Sequence, residues 1–132
     1  MRNMTTLFIA ALMLAALPAV GQKPGQTATQ FYNEYRTDWV YSKSMDTLLP
    51  YVSKESRAQY ETTPKEQRQP MFKRMKELGT MTNVKVVKET KTPQGYILEL
   101  TAVGPKKKPA TGTAEIVIEG GAMKLKKENW NM

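Results

Sequence analysis

The chain of 132 residues contains neither cysteine nor histidine. Without cysteine there is no disulfide, no thiol nucleophile and no lipobox for a lipid anchor. Without histidine the Ser-His-Asp relay and the usual zinc and iron ligand sets fall away, so neither metal nor cofactor is expected. General acid–base chemistry is left to Asp, Glu, Tyr and Lys, and Asp38 and Asp46 are the only two aspartates. Internal repeats are absent as well. Long apolar runs are almost so: one stretch without charge, Leu7 to Val20, falls short of the roughly 20 residues that a membrane-spanning helix requires.

That run follows a basic residue, Arg2, and ends at "AVGQ", with Ala19 and Gly21 two positions apart. A basic start, an apolar middle and a small-x-small close predict a signal peptide over residues 1–21, cleaved after Gly21. Cleavage takes Arg2 and no acidic residue, so the formal charge of +8 becomes +7 over the remaining 111 residues. A chain of that size makes one domain and buries about two-thirds of its surface. Residues 22–27 read as a flexible polar lead-in and 28–132 as a single domain. The 15 lysines outnumber the 5 arginines and are spread along the chain. Base readout favours arginine and single strands need an aromatic platform, so nucleic acid is not an expected partner. An anionic envelope polymer, met at Lys106–Lys108, is the partner that the charge alone allows.

The domain divides into a helical and a strand half. Ala28 to Ser42 forms a helix capped by Thr27, with Ala28, Phe31, Tyr32, Tyr35 and Trp39 in one stripe. "SKSMDTLLPYVSKESRAQY" gives two short helical turns parted by Pro50, with Ser44 and Ser53 as caps. Thr63, Pro64 and Glu66 form a capping box for a third helix. Its apolar face is Met71, Phe72, Met75 and Leu78, its solvated face Lys73, Lys76 and Glu77, and its stop Gly79; Pro70 kinks it or marks its start. The period then changes from helical to alternating. "NVKVVKE", "YILELTAV", "TAEIVIE" and "MKLKK" are strands, and Gly120–Gly121 is a hairpin turn. In the last pair Ala114, Ile116, Ile118, Met123 and Leu125 face inward, while Lys124 and Lys126 face outward opposite Glu115 and Glu119. Trp130 shares the parity of the lysines, so it needs a bulge near Lys127 to turn inward.

The fold expected is α+β: N-terminal helices packed on one face of a four-stranded antiparallel meander. A long first helix, "MDTLLPYVS", and a glycine turn before an alternating last strand resemble the nuclear transport factor 2-like superfamily, in its small exported bacterial members of unknown function. The likeness covers Thr27 to Trp130. Met123 stands where that family's closing hairpin usually has tryptophan. The resemblance implies a curved, cone-like sheet around the first helix and a cavity lined by Tyr35, Trp39, Tyr96 and Leu98. It also implies a homodimer through the sheet face at Val87, Ile97, Val103 and Val117. The function expected is a non-catalytic, periplasmic or secreted domain that binds a small apolar ligand or a protein partner. The alternatives are a basic module for envelope polymers and an acid–base enzyme of the isomerase or dehydratase type. In the latter Asp38 would be the base and Tyr35 or Tyr96 the proton donor.

Overall fold

The computed structural model describes residues 25–78 and 80–131, so the signal-peptide segment, residues 22–24 of the lead-in and the Gly79 stop lie outside the described residues. Helix α1 (Ala28–Tyr41) is followed by a 3-10 helix (Met45–Tyr51), α2 (Lys54–Glu61) and α3 (Lys65–Leu78). Four strands follow: β1 (Thr82–Thr92), β2 (Gly95–Val103), β3 (Pro109–Glu119) and β4 (Ala122–Asn131). They pair in chain order as an open antiparallel sheet. No helix among the described residues is long and apolar enough to cross a membrane.

Helix α1 begins where the sequence says it should. The Thr27 hydroxyl accepts from the Gln30 N–H, and the Gln30 side chain returns the bond to the Thr27 N–H, satisfying two donors that helix geometry leaves unpaired. Ser53 caps α2 by accepting from the Ser56 N–H. Ser44 occupies the expected position, but its side chain makes no capping bond. Pro70 sits within α3 without ending it. It lies in the second turn, where only one carbonyl loses its partner.

Phe31, Tyr32 and Tyr35 of α1 are buried against Leu98, Leu100, Ala114, Ile116, Met123 and Leu125 of the sheet, with Leu48, Tyr51 and Phe72 closing the sides. Small residues on β3 make room on the inner face: Ala114 is buried in this core, Ala110 in a second cluster with Met81 and Ala102, and Gly112 pairs with Trp130. The free edge of β4 is partly covered. Val52 bridges to Leu125 and the Ser53 N–H donates to the Leu125 carbonyl at 2.8 Å, which removes ladder groups otherwise open to another chain.

The strands run longer than the hydrophobic pattern indicated, because main-chain pairing continues through polar residues. Two further expectations are corrected. Val117 is buried and Ile118 is exposed; Ile118 lies at the hairpin end, while Val117 sits in a groove beside Ser53 and Gly95. Lys124 is not a free solvating charge. Its ammonium donates to the Pro50 carbonyl at 2.7 Å, and burial lowers its pKa. Lys126 is exposed and pairs with Glu115 at 3.8 Å.

Candidate ligand pocket

In β4 the register slips by one. Ile116 faces Leu125, Glu115 faces Lys127, and Lys126 is the extra residue. Such a bulge inverts the alternation beyond it. Met123 and Leu125 point to the helices before the bulge, and Glu128 and Trp130 do so after it, opposite Ala114 and Gly112. A carboxylate and an indole thereby join the inner face, next to α1.

Glu128 does not stand alone there. The Tyr32 hydroxyl donates to its Oε2, and the Arg36 guanidinium lies 3.6 Å from the same oxygen, with side-chain exposures of 10% for Arg36 and 16% for Glu128. Burial, and then the neighbouring carboxylate, push the Tyr32 pKa well up. Tyr35 is raised by the same two causes, with Arg36 acting against them. Both phenols therefore stay protonated at neutral pH, and Tyr32 is held as a donor. Tyr32 and Arg36 are one helical turn apart on α1, which brings them to one carboxylate.

Above this polar floor is an open pocket of about 380 Å³ lined by Arg36, Trp39, Met71, Arg74, Met75, Glu128 and Trp130. Trp39 packs edge-on against Phe72 at 5.6 Å between ring centres. Cations flank its ring, with Arg36 Cζ at 5.9 Å and Lys76 Nζ at 5.1 Å. Lys76 was expected in solvent. Instead its ammonium donates to the carbonyls of Trp39, of Val40 at 3.3 Å and of Ser42 at 3.4 Å, and burial lowers its pKa. Met71 and Met75 remain 37% and 42% exposed, one turn apart on α3. They form an apolar lip rather than core, since it is Phe72 that enters the core.

The residues expected to line a cavity separate into three groups. Trp39 lines the pocket. Tyr35 and Leu98 are core residues, and Leu98 is fully buried. Tyr96 packs on the core with Lys91 Nζ 5.1 Å from its ring. It lies four residues along β2 from Leu100, which shares a row with Gly112 and Trp130; that separation is about 13 Å of strand. Asp38 is exposed and does not line the pocket. Its carboxylate accepts the Tyr51 hydroxyl, not one from Tyr35 or Tyr96. Burial, then the bond to Asp38, raise the Tyr51 pKa.

Sequence reasoning did not single out Arg36 or Glu128. Arg36 had a signal: it is four residues from Tyr32, beside the aromatic stripe, and a charge placed there needs a partner. Glu128 had none, because alternation without the bulge sends it outward. A second depression, about 430 Å³, lies at the β1–β2 hairpin and is lined by Ser53, Glu55, Lys91, Gln94, Glu119 and Lys126 among others. Pro93, Val117 and Ile118 give it some apolar surface, but no aromatic ring or methionine lines it. Among the described residues no cluster of acidic side chains is suited to a metal ion. Compared with family models, curated proteins and solved structures, the chain has no significant match.

Proposed function

We propose that this chain is an exported, non-catalytic binding domain of the nuclear transport factor 2-like kind, and that its ligand is a small apolar or amphipathic molecule. One observation carries the reading: an open pocket with two tryptophans and two methionines for walls and, for a floor, Arg36 and Glu128, the latter held from beneath by the buried Tyr32. Ligand sites are typically apolar concavities with a few convergent polar groups, of roughly 300–1,000 Å³, and this pocket is at the small end of that range. Methionine suits such a wall because its side chain adapts to irregular shapes. An acid–base enzyme centred on Asp38 is less well supported, since that carboxylate is exposed and already holds Tyr51.

The chain has only two tryptophans, and both line the pocket, so intrinsic fluorescence reports directly on its occupancy. Titration with 1-decanol, below its solubility limit, is expected to change tryptophan emission saturably, with one ligand per chain. Met75→Glu, which sets a charge on the apolar lip, is expected to abolish the change while leaving the unfolding midpoint near that of the parent protein. A decanol response that persists in Met75→Glu, or no response in the parent, overturns the pocket reading. Export is tested separately. Mass spectrometry of the protein recovered from its native host is expected to give an N-terminus near Gln22, and a full-length chain overturns that part.

A further inference from the structure

We infer that the pocket selects amphipathic anions: a medium-chain carboxylate whose tail lies between Trp39, Trp130, Met71 and Met75 and whose head group is received by Arg36 and Arg74. This rests on the ligand-pocket reading above and adds the chemical class of the ligand. The lining holds two guanidinium groups and one carboxylate, which leaves an excess of positive charge. The carboxylate is already engaged, because Glu128 Oε2 takes the Tyr32 hydroxyl and faces Arg36. The guanidinium groups are not saturated. Arg36 NH1 is 3.6 Å from Glu128, beyond ordinary hydrogen-bond distance, and Arg36 Nε is buried without a hydrogen-bond partner. Arg36 is 9% exposed overall, so water has little access to its donors. Among the described residues Arg74 has no ion pair or hydrogen bond. Lys76, beside Trp39, adds a further positive field.

A buried charged donor with bonds to spare is costly, and a planar guanidinium matches a carboxylate in a two-point contact. A cationic amphiphile would meet Arg36 and Arg74 with no free carboxylate to offset them. An uncharged alcohol can accept one hydrogen bond from a guanidinium, but it brings no charge and no two-point contact. The anion offsets the positive excess of the lining while its tail covers the walls.

The experiment compares decanoate, 1-decanol and decylamine at neutral pH by tryptophan fluorescence, each below its micellar or solubility limit. Decanoate is expected to bind about tenfold more tightly than decanol, the scale of a charge-assisted hydrogen bond, and decylamine more weakly than either. In Arg36→Gln the decanoate-to-decanol ratio is expected to fall to within about twofold of one. If that variant does not fold, the double change Arg36→Gln with Glu128→Gln, which removes both charges together, is expected to give the same loss of ratio. Lys88→Gln, exposed on β1 and away from the pocket lining, controls for general surface charge and is expected to keep both affinity and ratio. Equal binding of decanoate and decanol, a preference for decylamine, or a ratio that survives loss of Arg36 overturns the anion inference and leaves the apolar pocket standing. Failure of all three probes to bind removes the pocket reading, and this inference with it.

Discussion

A Cβ at Gly112 would stand 2.5 Å from the Asn129 carbonyl oxygen and 2.7 Å from Cε3 of Trp130. The glycine is what allows the indole to lie against β3, and the neighbouring backbone oxygen leaves no route for relief. Gly112→Ala is expected to destabilise the protein by about 1–3 kcal/mol, the usual cost of overpacking, measured by urea unfolding. It should also raise the access of an aqueous quencher to Trp130. Trp39 has two roles, since one edge packs on Phe72 while the ring lines the pocket. Truncating a fully buried tryptophan costs about 3–5 kcal/mol. Trp39 is only half-buried, so Trp39→Ala is expected to cost less, about 2 kcal/mol, and to weaken decanol binding as well. A full core penalty with unchanged binding would assign Trp39 to the core alone.

At the scale of elements, α1 has no acidic residue in its first turn and no basic residue in its last, so its own sequence does nothing for its dipole. Other elements supply both charges. Glu89 of β1 accepts from the Thr29 N–H at 2.9 Å and from the Thr29 hydroxyl at 2.6 Å. Lys76 of α3 donates to the final carbonyls. Charges placed this way are each worth about 0.3–1 kcal/mol, and up to about 2 when partly buried. Glu89→Gln and Lys76→Gln are each expected to lower stability by about 1 kcal/mol, with the Glu89 effect weakening more in high salt because that site is exposed. The bulge in β4 makes a different prediction. Deleting Lys126 aligns Lys127 with Glu115 and keeps Glu128 and Trp130 inward, so the pocket fluorescence response should survive. Inserting one alanine after Lys126 adds a residue that the ladder cannot absorb without a second irregularity. It is expected to turn Glu128 and Trp130 to the outer face and expose the indole to quencher.

For the whole molecule, the buried phenols set the alkaline limit. Tyr32, Tyr35 and Tyr51 all have pKa values raised above the 10.0 of a free phenol side chain, chiefly by burial. Above pH 10 the unfolded chain releases these protons and the native state keeps them, so stability is whole below pH 10 and falls as pH rises beyond it. Each phenol contributes a slope of about 1.4 kcal/mol per pH unit. Lys76 and Lys124 act in the opposite direction, because burial lowers them from 10.5 and the cost of their buried ammonium groups is relieved as pH approaches that value. Above pH 10.5 only the tyrosine effect remains. The urea midpoint is expected to drop steeply there, and tyrosinate absorbance should show three phenols ionising only with unfolding. Gradual ionisation of all six tyrosines in the native state would contradict it.

The order of helices and strands, the Thr27 and Ser53 caps, the Gly120–Gly121 turn and the aromatic face of α1 are legible along the chain. Each of these follows from local chemistry: a side chain reaching a backbone group three residues away, a positive φ at each glycine of the turn, or an apolar residue recurring at the helical period. The resemblance implies a cavity lined by Tyr35, Trp39, Tyr96 and Leu98; of these the pocket holds Trp39, and its other members depend on contacts between distant segments. Strand alternation says which residues share a face only until a register shift intervenes, and nothing local to "KLKKENW" fixes where the shift falls. Pairing with β3 placed it at Lys126, and so brought Glu128 to Tyr32 and Arg36 across more than ninety residues of chain. Lys76 and Lys124 looked like solvent charges because lysine usually is one; only the packed fold set carbonyls beside them. The pocket arises only on packing, since a concavity is built from side chains whose neighbours are not adjacent in sequence.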